Sequence, residues 1–355
     1  MLNEKRAVLG VSGGVDSAVA AQLLRREGYT VLGVYLRSDR FRDESAAAEE
    51  AAAAAGIEFR VADITEPLDR CVVKPFAESY LRGETPNPCV WCNRAVKFPA
   101  LAAAADAFGA EIVATGHYAR IVTPNVPGAP CRMVAAAPCA NDQSYMLYRV
   151  PDELIARLRF PLAGLNKEQV RAAAAEMCLA SKEKPDSMEV CFIPDNDRIA
   201  WLEREAGADR IADMAGCFVD ETGRVLGQHG GIHRYTVGQR RGLAVAAGRR
   251  IYVTAIDPAA KTVTLGENLD VMRTSARITD CVWHLRPAPD QKLKIRVRHS
   301  RTFADGFAAA DDSGDAVLTF PDGVRAPAPG QSAVCYAEMN GELVVVGGGF
   351  LATER

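Results

Sequence analysis

The sequence predicts an α/β domain built on a parallel sheet, followed by two smaller β modules. Three observations carry that expectation. Residues 1 to about 115 alternate short apolar runs with Ala-rich helical segments, the rhythm of strands joined by crossover helices. A glycine-rich turn, Gly10-Val11-Ser12-Gly13-Gly14-Val15-Asp16-Ser17, stands where the first apolar run gives way to the first helical one. After Trp201 the helical texture ends, and glycines with period-two alternation take over.

In order, the expected elements are a strand at Val8 to Val11, a helix to Glu27, a strand at Thr30 to Tyr35, a helix around Ser45 to Ala55 and a strand at Phe59 to Val61. A helix from Arg94 to Phe108 then precedes a strand at Ile112 to Ala114. In parallel sheets of this kind ligands sit at the carboxyl ends of the strands. The glycine loop, the Tyr35-Leu36 strand end and Thr115-Gly116-His117 are therefore expected to converge on one nucleotide. Thr123 to Pro138 reads as a Pro-rich loop or hairpin insertion, and Asn166 with Gln169 as a capping box opening a helix to about Met177. Arg250 to Ile256, Thr262 to Leu265, Lys292 to Arg298, Ala316 to Phe320, Ser332 to Tyr336 and Leu343 to Val346 read as strands, the last four as a small barrel. The expected domains are 1–205, 206–275 and 276–355.

A chain of 355 residues, 48% hydrophobic and 25% charged, has the length and composition of a water-soluble protein of two or three domains. No apolar run approaches the roughly 20 residues that span a bilayer, and the opening Asn3-Glu4-Lys5-Arg6 is not that of a secretory signal. With ten scattered cysteines this predicts a reducing cytoplasm and free thiols. The net charge of −3 excludes a protein uniformly coated in base. The charge is uneven, however: Arg224 to Ile256 holds six arginines and no acid, and Lys292 to Arg301 is again free of acids. Such local basic surfaces suit a nucleic acid that is bound and released, or are simply solvated faces.

Glycines without Cβ atoms let backbone N–H groups approach an anion, and the positive end of a helix dipole favours it. Ser12 and Ser17 add hydroxyls, and Asp16 can hold a cation. The loop lacks the Lys and the spacing of a Walker A motif and the glycine spacing of a Rossmann fingerprint. Ser-Gly-Gly-x-Asp-Ser instead resembles the pyrophosphate loop of ATP pyrophosphatases, which split ATP into AMP and pyrophosphate. Two cysteine sites complete the set of candidates. Cys89-Val90-Trp91-Cys92 runs into a helix with Arg94 and Lys97 nearby, a setting that lowers a thiol pKa, and its spacing is also that of half a zinc site. Cys191, followed by Phe192 and Ile193, reads on its own as a buried strand residue.

The glycine loop, Thr85 to Phe98, Val113 to Arg120, Asp142 to Tyr145, Asp186 to Asp197 and Tyr235 to Leu243 together resemble the tRNA-specific 2-thiouridylase family, in that family's order and over nearly the whole chain. The resemblance implies an N-terminal domain of the adenine-nucleotide alpha-hydrolase type, a small central domain and a C-terminal β-barrel. It also implies ATP-dependent thiolation of uridine 34 in the tRNA anticodon. Cys92 matches the family's nucleophile and Cys191 the cysteine that carries a persulfide, with a Cys92–Cys191 disulfide left after sulfur transfer. Gly10, Val11, Ser12, Gly13, Gly14, Val15, Asp16, Ser17, Leu36 and Gly116 match its ATP contacts. Asn87, Pro88 and Cys89 match the segment at the target base, and His117, Asn141, Asp142, Gln143, Arg296, Val297 and Gln331 match positions that contact tRNA. Family members commonly carry Asp where Cys89 stands.

The implied cofactors are ATP and a magnesium ion that arrives with it near Asp16, with no stable protein metal site. The implied partners are tRNA, a sulfur donor of the relay or cysteine desulfurase type, and a reductant, with no membrane. Two other readings compete: another ATP pyrophosphatase, either an amide-forming synthetase or a paralogous RNA sulfurtransferase, and a noncatalytic RNA-binding protein.

Overall fold

The computed structural model describes residues 5–177, 190–193, 195–245, 248–311 and 313–353. They fall into two compact units, the first of residues 1–72, 89–194 and 338–345, the second of residues 73–88, 195–337 and 346–355.

The first unit is organised by a five-stranded sheet. Strands β1 (Arg6–Val11), β2 (Thr30–Arg37), β3 (Glu58–Asp63) and β4 (Ile112–Ala114), with a short strand at Leu158–Arg159, run in the order β3, β2, β1, β4, Leu158–Arg159. Every pairing is parallel, with Val11 opposite Tyr35 and Leu9 opposite Ala114. Helices α1 (Val15–Arg26) and α2 (Ser45–Ala54) supply the crossovers. Ala7 and Leu9 of β1, Val31 of β2, and Val19, Ala20 and Leu24 of α1 are buried in one core. Because β1 is central and buried, it reads as a continuous apolar run. The helix Lys167–Glu176 starts at Asn166, whose side chain accepts from the Gln169 N–H while Gln169 returns the bond, so the expected capping box is present. The Pro-rich insertion is a hairpin of Arg120–Val122 and Met133–Ala135, and Ala135 pairs onward with Val344.

Residues 65–81 are helical almost throughout, although the alternation in the sequence marks no element there. Leu68, Val72, Phe76 and Tyr80, four residues apart, bury one face. Asp69–Val73 and Asn93–Lys97 each widen into a π turn just before a proline, Pro75 or Pro99. Proline lacks an N–H and its ring clashes with the carbonyl four residues back, which the wider turn relieves.

The second unit holds a four-stranded sheet of Gly216–Val219, Val225–His229, Tyr252–Asp257 and Thr262–Gly266 around buried Phe218, Val253 and Val263. The six C-terminal strands, from Met272–Trp283 to Glu342–Leu351, close into a barrel where Ile278 pairs with Leu351. Its interior includes Ile295, Leu318, Val334 and Tyr336. Among the described residues, no helix is long and apolar enough to cross a membrane.

Candidate active site

Parallel register brings the ends of β1, β2 and β4 to one edge of the sheet, and the glycine loop, Leu36 and Gly116 with them. Gly13 has φ +70°, and a Cβ there would lie 3.3 Å from the Ala48 backbone nitrogen in α2, so glycine is required for both conformation and space. A Cβ on Gly116 would lie 3.1 Å from Asp16 Cβ and 3.4 Å from the Ser17 nitrogen, so β4's exit loop packs directly on the start of α1. The Ser17 hydroxyl donates to the Gly14 carbonyl at 3.0 Å and lies 3.3 Å from the Ser12 N–H, which donates to it. No side chain caps α1, leaving its first backbone donors and its dipole for an anion.

Asp16 lies in the first turn of α1. Its carboxylate accepts from Tyr118 Oη at 2.9 Å and from Lys167 Nζ at 2.8 and 2.9 Å. An oxygen donor of this kind suits a magnesium ion, which is ordinarily held by one or two carboxylates together with substrate phosphates. Among the described residues, no three Cys, His, Asp or Glu side chains are grouped to hold a metal ion.

The thiols lie in the same unit. One helical turn, Pro88–Cys92, passes into the π turn Asn93–Lys97 and then into the helix Phe98–Phe108. Asn93 is buried and its amide donates to the Met146 carbonyl at 3.1 Å, tying this turn to the segment Ser144–Leu147. Cys89 is exposed, Cys92 half-buried, and Cys191 exposed on a turn closed by the Ile193 N–H to the Val190 carbonyl. Cys191 is thus not a strand residue. Phe192 and Ile193 beside it are buried and hold the turn down, while part of the Cys191 residue reaches the surface. Of the segment 184–195, residues 184–189 and 194 lie outside the described residues.

The expected lowering of the thiol pKa is reversed. The protein packed around Cys92 pushes its thiol above the usual range, and around Cys89 does the same, with Lys97 opposing both and losing. Cys191 is pushed up to about 12, first by desolvation and then by the charges that Cys92 and Cys89 would carry. Its residue surface reaches solvent, but the sulfur itself is crowded by protein and by the other two thiols. The three cysteines and Lys97 are therefore within electrostatic reach of one another, and the thiols rest protonated.

The residues matched to tRNA contacts fall into two groups. Asn141 is exposed, and Asn87, Gln143 and Gln331 are half-buried. Gln143 exchanges two hydrogen bonds with the Tyr118 backbone, and Gln331 donates to the Thr85 carbonyl at 2.7 Å. The others lie inward. Pro88 is buried, and Asp142 accepts from the Ala137 N–H and from both the N–H and the hydroxyl of Ser144. His117 is buried between Phe98 and Phe160, its Nδ1 2.7 Å from the Thr115 hydroxyl, and burial pushes its pKa well down, so the ring is neutral. Arg296 and Val297 are 5% and 6% exposed, with the Arg296 guanidinium over the rings of Phe303 and Tyr336 at 4.0 and 5.4 Å.

Three family profiles cover this architecture in series: a tRNA methyl transferase HUP domain over residues 5–195, a tRNA methyl transferase PRC-barrel domain over 208–267 and an aminomethyltransferase beta-barrel domain over 273–351. The curated tRNA-specific 2-thiouridylase MnmA of Acidithiobacillus ferrooxidans is 38% identical over 358 residues, covering 99% of both chains. The chain belongs to the tRNA-specific 2-thiouridylase family. Other members similar to it are the 2-thiouridylases of Syntrophomonas wolfei, 41% identical over 97% of this chain and 99% of the relative, and of Geotalea uraniireducens, 37% identical over 97% and 94%.

Within this thiouridylase fold, sequence reasoning passed over Lys167 and Tyr118 as the partners of Asp16. Lys167 follows a capping residue and belongs to no glycine or cysteine motif, so only the approach of its helix to α1 reveals it. Tyr118 sits inside the Val113 to Arg120 motif, where its hydroxyl's partner, 102 residues away, has no signature in the sequence.

Proposed function

We propose that this protein replaces the C2 oxygen of uridine 34 in the tRNA anticodon with sulfur, at the expense of ATP, in the cytoplasm. The observation that carries the reading is the presence in one unit of an uncapped, glycine-built anion cradle and a crowded set of three thiols. A methyl transferase, as two of the profile descriptions would have it, has use for neither ATP cleavage at the α-phosphate nor a thiol pair. An amide-forming synthetase has use for the cradle alone.

The C2 carbonyl of uridine is a poor electrophile with a poor leaving group. If its oxygen attacks the α-phosphorus of ATP, pyrophosphate leaves and the oxygen becomes part of an AMP leaving group. The loop from Gly10 to Ser17 holds the phosphates through backbone donors and the α1 dipole. Leu36 and Gly116 border the nucleoside, and Gly116 lets the loop after β4 pack closely on Asp16. Asp16 would hold a magnesium ion accompanying the nucleotide, and that ion would supply charge neutralisation at the phosphates.

Sulfur arrives as a persulfide on Cys191, whose exposed turn suits loading by an external donor protein. Either the outer sulfur attacks C2 directly or it is released as hydrosulfide that attacks C2; AMP departs with the former oxygen. Cys92 attacks the inner sulfur of Cys191, the S–S bond to the transferred sulfur breaks, and a Cys92–Cys191 disulfide remains. A reductant supplying two electrons and two protons reopens it. Raised thiol pKa values fit this order: unloaded thiols stay protonated and unreactive, and Lys97 is the cation placed to favour a thiolate when one forms.

The test is nucleoside mass spectrometry of tRNA from cells lacking the gene, complemented with wild type, Cys92→Ser or Cys191→Ser. Position 34 is expected to lose 2-thiouridine, with only the wild type restoring it. Undiminished 2-thiouridine in a strain with no second enzyme overturns the reading.

A further inference from the structure

Three thiols share the site, and sulfur transfer consumes only two. Cys89, Cys92 and Cys191 are all in the thiol state. Cys89 and Cys92 belong to the one helical turn Pro88–Cys92, with Cys92 itself in helical backbone at φ −60° and ψ −47°. Residues three apart on such a turn lie on one face, and helical rise and radius put their Cα atoms about 5 Å apart, inside the roughly 4.4–6.8 Å that a disulfide spans. The turn is pinned by its other side chains. Val90 is fully buried, and Asn93, also buried, donates to the Met146 carbonyl at 3.1 Å.

Cys191 comes to this pair from a separate turn, held down by buried Phe192 and Ile193. The charge that Cys92 would carry weighs more on Cys191 than that of Cys89, so Cys92 is the nearer of the two. Cys92 in turn feels the charge of Cys89. A thiolate attacks one sulfur of a disulfide and displaces the other. When Cys92 is bonded to Cys191, the thiol one turn away is therefore set to attack it. Cys191 must also become a thiol again before a donor can load it.

We propose that Cys89 resolves the Cys92–Cys191 disulfide inside the protein. Cys89 Sγ attacks Cys92 Sγ, the Cys92–Cys191 bond breaks, a Cys89–Cys92 disulfide forms, and the proton shed by Cys89 ends on Cys191. Cys89 is oxidised and Cys191 reduced, so no electrons enter at this step. Burial holds Cys191 protonated, with its pKa pushed up to about 12, and the released thiol keeps its proton. An external dithiol then gives two electrons and two protons to the Cys89–Cys92 bond and becomes a disulfide itself. Cys191 is ready for reloading before that reductant arrives, and the bond left to reduce lies at Cys89, part of whose residue reaches the surface. The inference rests on the reading of Cys191 as the persulfide carrier.

The experiment loads the full chain with persulfide from a cysteine desulfurase and cysteine, desalts it, and adds ATP and unmodified tRNA without reductant. After one turnover the protein is alkylated with N-ethylmaleimide and digested for mass spectrometry without reduction. The wild type yields a Cys89–Cys92 disulfide with Cys191 alkylated, whereas Cys89→Ser yields Cys92–Cys191. A wild type that stops at Cys92–Cys191 with Cys89 alkylated overturns the relay. Wild type oxidised by one equivalent of diamide without tRNA, and left to equilibrate, gives the same Cys89–Cys92 product; Cys92–Cys191 there overturns it too. Steady-state turnover supplies a readout that a purely structural Cys89 would not move. Wild-type rates with thioredoxin and with dithiothreitol stay within about threefold of each other, whereas Cys89→Ser is at least about tenfold slower with thioredoxin, the larger dithiol. Equal slowing of Cys89→Ser with both reductants overturns the relay. Absence of 2-thiouridine from the wild-type reaction overturns the thiouridylase reading instead.

Discussion

The first unit has two places where a turn runs into a helix beneath functional side chains, and they are built to opposite electrostatic ends. At Ser12–Ser17 the backbone is bare: Gly13 and Gly14 carry no side chain, no residue caps α1, and the one acid nearby is matched by a lysine. At Pro88–Lys97 every residue carries a side chain, and burial outweighs Lys97 so that the thiols stay neutral. On the proposed function, the first arrangement would gather charge that arrives with a substrate. The second would withhold charge until a sulfur atom is in place. At the thiols, desolvation of the side chain decides the outcome.

The largest effect should come from separating the two regions. Cys191→Ser and Cys92→Ser are each expected to reduce 2-thiouridine formation by purified protein to background while leaving calorimetric binding of an ATP analogue within about twofold. Loss of analogue binding in either variant would merge regions that are held here to be distinct. Gly13→Ala works from the other side. The left-handed backbone and the contact with Ala48 should cost about 1–2 kcal/mol of stability in urea titration and weaken the analogue at least tenfold, with Cys191 alkylation unchanged.

A pH series sharpens the contrast in charge. Because burial raises the Cys92 pKa, its thiolate fraction falls as pH drops below that value. Alkylation by iodoacetamide should be slower than for free cysteine at pH 7.5 and rise about tenfold per pH unit until a midpoint above the ordinary thiol range. Lys97→Gln removes the opposing cation and should move that midpoint higher still. A midpoint below the free-cysteine value would show that the dipole and Lys97 prevail over burial. The smallest effect concerns the support of Lys167: Asn166→Ala removes one half of the capping box and should lower stability by about 1 kcal/mol, read as a shift in urea midpoint.

Much of this architecture is written locally and so could be read from the sequence. The parallel sheet follows from apolar runs spaced by helices, the hairpin from its prolines, and the helix at Lys167 from two residues three apart. What escaped reading depends on packing between distant segments. The helical stretch from 65 to 81 shows its buried face only once Pro67 and Pro75 are seen to begin turns rather than end them. Phe192 and Ile193 suggested a strand around Cys191, yet they anchor a turn. Arg94 and Lys97 advertised an acidic thiol, but sequence lists charges and omits the burial that outweighs them. Lys167 carries no motif, because its meaning lies entirely in a carboxylate 151 residues away.

The central claim is that loop and thiols perform successive steps on one RNA base. Single-turnover release of pyrophosphate from ATP, measured with and without unmodified tRNA, tests it most directly. The account predicts that tRNA stimulates release in the wild type, that Cys191→Ser keeps the tRNA-dependent burst while forming no 2-thiouridine, and that Gly13→Ala loses both. A burst that is independent of tRNA, or one that vanishes with Cys191→Ser, would contradict it.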